Sequence, residues 1–457
     1  MRRNQTAFLI NWLNSTSRKP LIIRGARQVG KTWLIRDLAT SSQKELIELN
    51  FEKRPDLESL FKPNDPREIL SNISVAMNIK IDLSKSILFL DEIQAAPHLF
   101  EKLRWFAEDL PELPVIAAGS LLDFALAKHE FGMPVGRIGY LYLEPLSFEE
   151  FLDAIGQHEL RLYLENYNWH IDIPNIIHSQ LMKLIKEYII VGGMPAAVSS
   201  WATSKSPDII NQLHIDLLTT YRDDFTKYNG RLSIEHLENI MNSIPRQLGQ
   251  KFTYSDVNSE AKSAPLKQAL DLLSKARICH RIVKTSANGL PLGAEVNEKF
   301  LKIILLDCGL CNASLGLSLY QLESVSEISM INSGGMAEQL TGQLLRIIHP
   351  FYIDPSLYYW AREKTGSQAE VDYVIQHENQ IIPLEVKAGT TGTLKSLHQY
   401  MKEKKKQIAI RINSAMPSLT RIKLNDSSNT EYTLLSIPFY LLEQLPRLIN
   451  SSPKQNS

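Results

Sequence analysis

The segment that most constrains the fold of this chain runs from Pro20 to Leu38 and reads PLIIRGARQVGKTWLIRDL. A run of apolar, β-favouring residues enters a glycine-containing loop, and a helical pattern follows at once. This is the complete GxxxxGK[ST] phosphate-binding loop in the strand–loop–helix setting that it requires. The glycines let successive backbone N–H groups surround a phosphate chain, and the helix N-terminus adds a partial positive charge. The sequence therefore predicts a site for a nucleoside triphosphate.

Individual residues of this loop have distinct predicted roles. Lys31 would reach the β- and γ-phosphates and take part in catalysis, and the Thr32 hydroxyl would ligate Mg²⁺. We therefore expect ATP and Mg²⁺ as cofactors. The residues predicted to bind the nucleotide within the loop are Gly25, Ala26, Arg27, Gln28, Val29, Gly30, Lys31 and Thr32.

Two later strands end in polar side chains. The run SILFLDEI ends in Asp91 and Glu92, which is typical of a buried parallel strand whose carboxyl end faces a ligand crevice. We expect Asp91 to bind Mg²⁺ or its water and Glu92 to polarise the attacking water, although acidic residues after a strand also cap helices. Ser120, at the end of the run PVIAAGS, is either a sensor of the nucleotide state or a helix cap.

Arg137 stands just before the strand that starts at Ile138. In that position it is either an arginine finger presented to a nucleotide in a neighbouring subunit or an ordinary surface arginine. Strands alternate with helical patterns over residues 20–147. This alternation predicts an α/β fold, with an open parallel sheet of the P-loop NTPase kind and helices on both faces.

A second group of candidate site residues lies near the C-terminus. Glu338 falls in the early turns of a predicted helix, Asp372 on a strand, and Glu385 and Lys387 on the next strand. Residues two apart on a strand share a face, so two carboxylates and an amine could meet around a divalent metal. This order is the signature of restriction-endonuclease-like folds and predicts a second Mg²⁺ or Mn²⁺. An alternating charged strand face in a half-exposed sheet is the ordinary alternative.

Between these groups the pattern is mainly helical. Three short helical patterns and two strand-like runs predict a winged helix-turn-helix, whose second helix carries Lys262, Lys267 and Gln268 towards a DNA groove or else contacts a protein. The predicted segments are a P-loop ATPase-type domain (1–147), a helical lid or connector (148–231), the winged helix-turn-helix (232–320), an α/β restriction-endonuclease-like domain (321–450) and a polar tail (451–457).

Composition narrows the choice of partners only slightly. The 50 basic and 50 acidic residues cancel, so net charge indicates neither a nucleic-acid nor a membrane partner. No stretch approaches the roughly 18 uninterrupted apolar residues of a membrane span, and we expect a cytoplasmic protein without membrane contact. The three cysteines, Cys279, Cys308 and Cys311, lack paired metal-ligand spacing. Cys308-x-x-Cys311 is a redox pair, half of a zinc site or, as we expect without a second half, a reduced pair on an apolar element.

Over nearly its full length the chain resembles a widespread family of bacterial and archaeal AAA-type (AAA+) P-loop ATPases. The resemblance implies nucleotide binding by residues 25–32, hydrolysis by Asp91 and Glu92, a winged-helix region, and a restriction-endonuclease-like C-terminal domain of unknown function. In that last domain it implies a metal-site remnant at Glu338, Asp372, Glu385 and Lys387. The matching stretches are GARQVGKTWL, FLDEIQ, AAGS, GRIGYLYLEPLSFEEFL, VGGMPAAV, GGMAEQLTGQLL, EVDYVI and PLEVKAG.

Taken together, these features lead us to expect a Mg²⁺-dependent ATPase that acts as a nucleotide-driven switch linked to DNA. Two alternatives stay open: an ATP-regulated, metal-dependent DNA nuclease, and an ATP-dependent scaffold that recruits a protein partner without cleaving DNA. The sequence also leaves open the oligomeric state and whether Arg137 acts on a neighbouring subunit.

Overall fold

The computed structural model describes residues 1–120, 122, 136–225, 233–316, 334–362, 369–389, 392–424 and 430–452. The chain divides into two compact units. Unit 1 comprises Met1–Glu144, Lys275–Arg277 and Pro350–Asp354, and unit 2 comprises Pro145–Ser274, Ile278–His349 and Pro355–Ser457. The predicted segment boundaries at residues 231 and 320 lie outside the described residues.

Unit 1 is built on a five-stranded parallel sheet. Its helices and strands, in chain order, are α1 (Gln5–Asn14), β1 (Leu21–Arg24), α2 (Lys31–Ser41), β2 (Glu45–Asn50), α3 (Pro66–Met77), β3 (Ser86–Asp91), α4 (Leu99–Asp109), β4 (Val115–Ala118) and β5 (Gly139–Tyr142). The strand order is β2-β3-β4-β1-β5. This arrangement confirms the predicted α/β fold with a parallel sheet and helices.

The apolar runs of the sequence become the central strands of this sheet. Strand β3 is buried along its whole length, and Leu88 and Leu90 pack with Phe100 and Phe106 of α4 in one core. Strands covered on both faces read as continuous apolar runs, which explains why the sequence made β3 so visible. Because all five strands are parallel, the residues that follow β1, β3 and β4 meet at one edge, which we call the carboxyl edge.

Unit 2 contains an eight-stranded mixed sheet. Helices and strands from residue 145 onward are α5 (Phe148–Ala154), α6 (His158–Asn166), α7 (Asn175–Val191), α8 (Pro195–Ser204), α9 (Pro207–Asp224), α10 (Ile234–Ser243), α11 (Ser263–Lys275), β6 (Cys279–Thr285), β7 (Val296–Leu305), α12 (Cys308–Ser314), α13 (Gly335–Ile347), β8 (Leu357–Ala361), β9 (Glu370–His377), β10 (Gln380–Val386), α14 (Lys395–Lys404), β11 (Ile408–Asn413), β12 (Ser418–Lys423), β13 (Glu431–Pro438) and α15 (Leu445–Asn450). The strand order is β12-β13-β11-β10-β9-β8-β6-β7.

The hairpin predicted as the wing of a winged helix belongs to this larger sheet. Strands β6 and β7 pair antiparallel, and β6 also pairs in parallel with β8, with Ile282 opposite Leu357. Hydrogen bonding is therefore continuous between two segments that the sequence assigns to different domains. The reason is that β6 has a second partner strand, which sequence spacing does not reveal.

A buried aspartate joins three parts of unit 2. Asp307 caps α12 by accepting the N–H of Leu310 at 3.1 Å through Oδ1. Its Oδ2 accepts the N–H of Gly193 at 2.6 Å and the Nε2–H of Gln343 at 3.1 Å. Asp307 has no solvent exposure, so water cannot take its place as the acceptor for these three donors.

Two further properties hold for the described residues. All three cysteines, Cys279, Cys308 and Cys311, are buried, and no disulfide joins them. Within the described part of the chain, every helix is too short or too polar to cross a lipid bilayer.

Candidate functional site

The phosphate-binding loop connects the end of β1 to the start of α2. Gly30 has a φ of 93° directly before α2, in the left-handed region that favours glycine. Gly25 is required for another reason, since a Cβ there would lie 2.5 Å from the carbonyl oxygen of Leu143. Leu143 is itself fixed, because its N–H donates to the Arg24 carbonyl at 2.8 Å. The loop is thus pressed against the chain that follows β5.

Lys31 lies inside this loop with only 7 % of its surface exposed. Its ammonium donates to the carbonyl oxygens of Ala26 at 2.8 Å and Gly25 at 3.1 Å. Burial lowers the pKa of Lys31 to about 8, while Glu92 and Asp91 favour the charged form. The side chain is therefore held where a phosphate oxygen could replace the loop carbonyls as its partner.

Thr32, Asp91 and Asn50 form a hydrogen-bonded group at the carboxyl edge. The Thr32 hydroxyl donates to Asp91 Oδ2 at 3.2 Å, and Asn50 Nδ2 donates to the same oxygen at 3.0 Å. Burial and the nearby Glu92 raise the pKa of Asp91 above its usual value. A hydroxyl and a carboxylate on adjacent elements are the oxygen ligands that Mg²⁺ prefers, so these residues fit that ion.

Asn50 is a site residue that the sequence analysis missed. It ends β2 opposite Asp91 in the parallel register. A polar residue at the last position of a strand, next to the strand that carries the acidic pair, is the signal that could have identified it.

Glu92 adopts a left-handed conformation with a φ of 51°, which a non-glycine residue adopts infrequently and which is enriched at functional sites. Its carboxylate accepts a hydrogen bond from Gln94 Nε2. Gln94 in turn lies against Gly119, where a Cβ would fall 1.9 Å from Gln94 Oε1. Ser120 follows directly and is 7 % exposed. The predicted residues Asp91, Glu92 and Ser120 therefore share one edge of the sheet.

Arg137 lies at the opposite edge. It precedes β5, whose first residue pairs with Leu21 at the start of β1. Its guanidinium is half-exposed and donates to Glu108 of α4 at 2.7 Å. The structure does not bring Arg137 to the phosphate loop of its own chain, so a role towards a neighbouring subunit stays a prediction.

Arg277 is a second residue that the sequence analysis missed. It belongs to unit 1, is buried, and has its guanidinium 4.7 Å from the centre of the Tyr142 ring and 3.6 Å from Glu144 Oε1. After burial and Arg27, the charge of Arg277 also lowers the pKa of Lys31. No local motif marks Arg277, because it reaches this site from the distant part of the sequence that follows α11.

In unit 2 the structure brings the predicted C-terminal site residues into one charge cluster. Glu338 is on α13, Asp372 is on β9, and Glu385 is on β10. Lys387 donates to Glu385 Oε1 at 2.6 Å. Burial, followed by the neighbouring Asp372, raises the pKa of both Glu338 and Glu385 to about 7.

The cluster has a member that was not predicted. Lys302 of β7 places its Nζ 3.0 Å from Glu338 Oε2, 2.7 Å from Glu370 Oε1 and 3.8 Å from Asp372 Oδ1. Nowhere in the described ranges are three or more His, Cys, Asp or Glu side chains arranged to hold a metal ion. The carboxylates thus meet as predicted, but around an ammonium group.

Comparison with known families covers most of the chain in three parts. The matches are an AAA domain over residues 17–152, a domain of unknown function (DUF8612) over residues 182–321, and a domain of unknown function (DUF4143) over residues 333–439. No curated protein matches the chain.

Several solved structures are similar at low sequence identity. The Aeropyrum pernix ORC2 protein, in ADPNP–ADP complexes, is 13 % identical with a TM-score of 0.30, over 71 % of this chain and 96 % of that chain. Caenorhabditis elegans PCH-2 is 11 % identical with a TM-score of 0.27, over 45 % and 64 %. Candida albicans Pif1 helicase is 14 % identical with a TM-score of 0.24, over 40 % and 47 %. The matches thus span less than two thirds of the PCH-2 chain and about half of the Pif1 chain.

The AAA match coincides with the part of unit 1 that carries the phosphate loop, Asp91, Glu92 and Ser120. It contains all five strands of the parallel sheet. The AAA part of the resemblance predicted from the sequence is therefore confirmed, since residues 17–152 match the AAA domain family.

Proposed function

We propose that the chain is a Mg²⁺-dependent ATPase and that its turnover operates a nucleotide-driven switch. One observation carries the proposal: the Thr32 hydroxyl lies 3.2 Å from Asp91 Oδ2, directly after a loop that encloses Lys31. A hydroxyl and a carboxylate at this separation can both ligate one small cation. The same loop supplies the backbone N–H groups for the phosphates.

The chain's own residues divide the work of hydrolysis. Lys31 exchanges its loop carbonyl partners for oxygens of the β- and γ-phosphates, and Thr32 and Asp91 hold Mg²⁺. The ion supplies charge neutralisation at the phosphate oxygens. Glu92 polarises the attacking water, and the hydrogen bond from Gln94 orients its carboxylate.

Ser120 is proposed to sense the nucleotide state. Support comes from its position at the carboxyl edge, after the strand β4 that pairs with β3. Gln94 lies between Glu92 and Gly119, so a movement of Gly119 and Ser120 would displace Gln94 and its hydrogen bond to the Glu92 carboxylate. This contact gives the proposed switch a physical link between hydrolysis and the chain that follows β4.

The proposal is tested by comparing Glu92→Gln with the wild-type protein. The variant should bind ATP with unchanged affinity but lose turnover by about 10²- to 10⁴-fold, the contribution of a positioned general base. Calorimetric ATP titration and a phosphate-release assay measure the two properties. Glu112→Gln is the matched control, because Glu112 is an exposed acid of the same unit. Turnover of Glu92→Gln at the wild-type rate would show that Glu92 does not activate water.

We further propose that the switch is linked to DNA through α11. The observation that favours this is the exposure of Lys262, Lys267 and Gln268, which leaves them accessible to a phosphate backbone. ATPase activity should then rise with duplex or single-stranded DNA, and Lys267→Glu should lose the rise without losing basal turnover. An ATPase rate that is the same with and without every form of DNA would favour a protein partner instead.

A further inference from the structure

The charge cluster of unit 2 contains its own cation. It consists of Lys302, Glu338, Glu370, Asp372, Glu385 and Lys387. The Lys302 side chain is 1 % exposed, while its carboxylate partners keep part of their surface in contact with solvent. Two of its contacts, at 2.7 and 3.0 Å, are the distances of charge-assisted N–H···O hydrogen bonds.

The electrical state of Lys302 follows from these surroundings. Burial alone would lower its pKa, but Glu338, Asp372 and Glu370 outweigh burial and raise the pKa of Lys302 well above its usual value. The ring of Tyr359 faces the ammonium at 5.6 Å and adds a cation–π contact. The contacts at 2.7 and 3.0 Å to Glu370 and Glu338 are those of a charged ammonium group with carboxylates.

One oxygen atom of each carboxylate in the cluster contacts another group, and for Glu338 and Glu370 that group is the Lys302 ammonium. Asp372 Oδ2 accepts the Val386 N–H at 2.8 Å, and Glu385 Oε1 accepts from Lys387 at 2.6 Å. Glu385 Oε2 is buried and has no hydrogen-bond partner among the described residues. Mg²⁺ and Mn²⁺ sites need several free oxygen ligands, at about 2.0–2.1 Å for Mg²⁺. The Lys302 ammonium already stands among the carboxylates of Glu338, Glu370 and Asp372, so the residues present do not fit the second divalent metal that the sequence predicted.

The backbone of Lys302 is held in the sheet, so its side chain cannot easily move out of the charge cluster. Lys302 lies within β7 opposite Ile282 of β6, so its backbone is fixed by the sheet. A divalent cation entering the cluster would have to displace a buried ammonium or accept a like charge a few ångströms away. Either event is unfavourable where water is excluded.

We propose that Lys302 is the permanent cation of this cluster, and that its ammonium takes the place of a divalent metal. On this view the C-terminal fold keeps the carboxylates of a nuclease-like site as a structural cluster around Lys302 and does not cleave DNA. The inference goes beyond the ATPase proposal and does not depend on it, because all the residues concerned belong to unit 2.

The test is Mn²⁺ binding to the full-length chain without nucleotide, in an Asp91→Asn background that removes a metal ligand of unit 1. Electron paramagnetic resonance counts bound Mn²⁺. The Asp91→Asn parent should bind no Mn²⁺ at unit 2, and adding Lys302→Met should create one Mn²⁺ site. Lys299→Met is the matched control, since Lys299 is an exposed lysine of the same strand, and it should bind no Mn²⁺.

Three results would overturn the proposal. One is a Mn²⁺ site in the parent that disappears on adding Asp372→Asn. Another is a folded Lys302→Met variant that gains no Mn²⁺. The third is Mn²⁺-dependent nicking of plasmid DNA by the wild-type chain that Asp372→Asn abolishes. If Lys302→Met does not fold, the parent titration and the nicking assay still decide. ATP turnover of the wild-type chain, measured in parallel, reports separately on the ATPase proposal.

Discussion

Replacing Gly25 by alanine would test how closely the phosphate loop depends on its neighbour. The added Cβ would lie 2.5 Å from the Leu143 carbonyl oxygen and 3.0 Å from Val29 Cγ2. Side-chain atoms in folded proteins do not approach a backbone oxygen so closely, so the loop must move away by at least about 0.5 Å. Because Leu143 is tied to Arg24 by a 2.8 Å hydrogen bond, the loop rather than its neighbour gives way.

The expected cost follows from this movement. Overpacking of this kind destabilises a protein by about 1–3 kcal/mol, which would lower Tm by several degrees. Displacing phosphate-binding groups by a fraction of an ångström to one ångström reduces kcat/KM by about 10²-fold. Differential scanning fluorimetry and a coupled ATPase assay measure the two effects.

Gly139→Ala is the matched control for this substitution. The residue lies in the neighbouring strand β5, and its added Cβ would meet Leu21 Cδ1 at 3.4 Å, an ordinary van der Waals contact. We expect near wild-type stability and turnover for this control. A folded Gly25→Ala variant with wild-type kcat/KM would refute the claim that the Leu143 contact requires glycine.

Three other predictions concern binding, stability and pH. Lys31→Ala should lower ATP affinity by about 10- to 100-fold and abolish hydrolysis, since a hydrogen bond to a charged group contributes about 1.5–3 kcal/mol; unchanged calorimetric affinity would contradict this. Asp307→Ala should lower the free energy of unfolding by about 3 kcal/mol in urea titrations, because buried donors lose their acceptor. The exposed cap variant Asp65→Ala should lose about 1 kcal/mol, and equal losses would argue against the buried network. The pKa of Glu385 is raised to about 7 from its usual 4.5, so its stabilising contribution is full below pH 4.5 and is lost as pH rises through 7. The pKa of Glu149 is raised as well, so the contribution of Glu385 is measured as a difference between two proteins. The free energy of unfolding of Glu385→Gln should depend less on pH than that of the wild-type protein, and identical pH dependences would refute the prediction.

The sequence predicted the fold of unit 1 well, because the motifs that identify this fold are short and contiguous along the chain. The phosphate loop is one contiguous stretch, and Asp91 and Glu92 follow a strand whose apolar run is unbroken. Parallel strands collect such residues at one edge, so Asp91, Glu92 and Ser120 could be grouped from their positions along the chain alone. Arg137 illustrates the limit of this reasoning, since it precedes its strand and lies at the other edge.

The residues that sequence reasoning missed are those that arrive from distant segments. Asn50 is placed by strand register, Arg277 by the path of the chain after α11, and Lys302 by the pairing of β6 with β8. Their spacing to their partners has no period and matches no motif. The sequence therefore predicted Glu338, Asp372 and Glu385 of the unit 2 cluster but not the lysine that lies among its carboxylates.

The pairing of β6 with β8 has a consequence for how the chain is made. During synthesis from the N-terminus, the β6–β7 hairpin leaves the ribosome well before the residues around Leu357 that complete its sheet. Until then β6 has an unpaired edge, and the Lys302 ammonium lacks Glu338, Glu370 and Asp372 as partners. Such edges are prone to wrong pairing, and non-local pairings form slowly. The β6–β7 hairpin can therefore complete its sheet only after the residues of β8 have been synthesised.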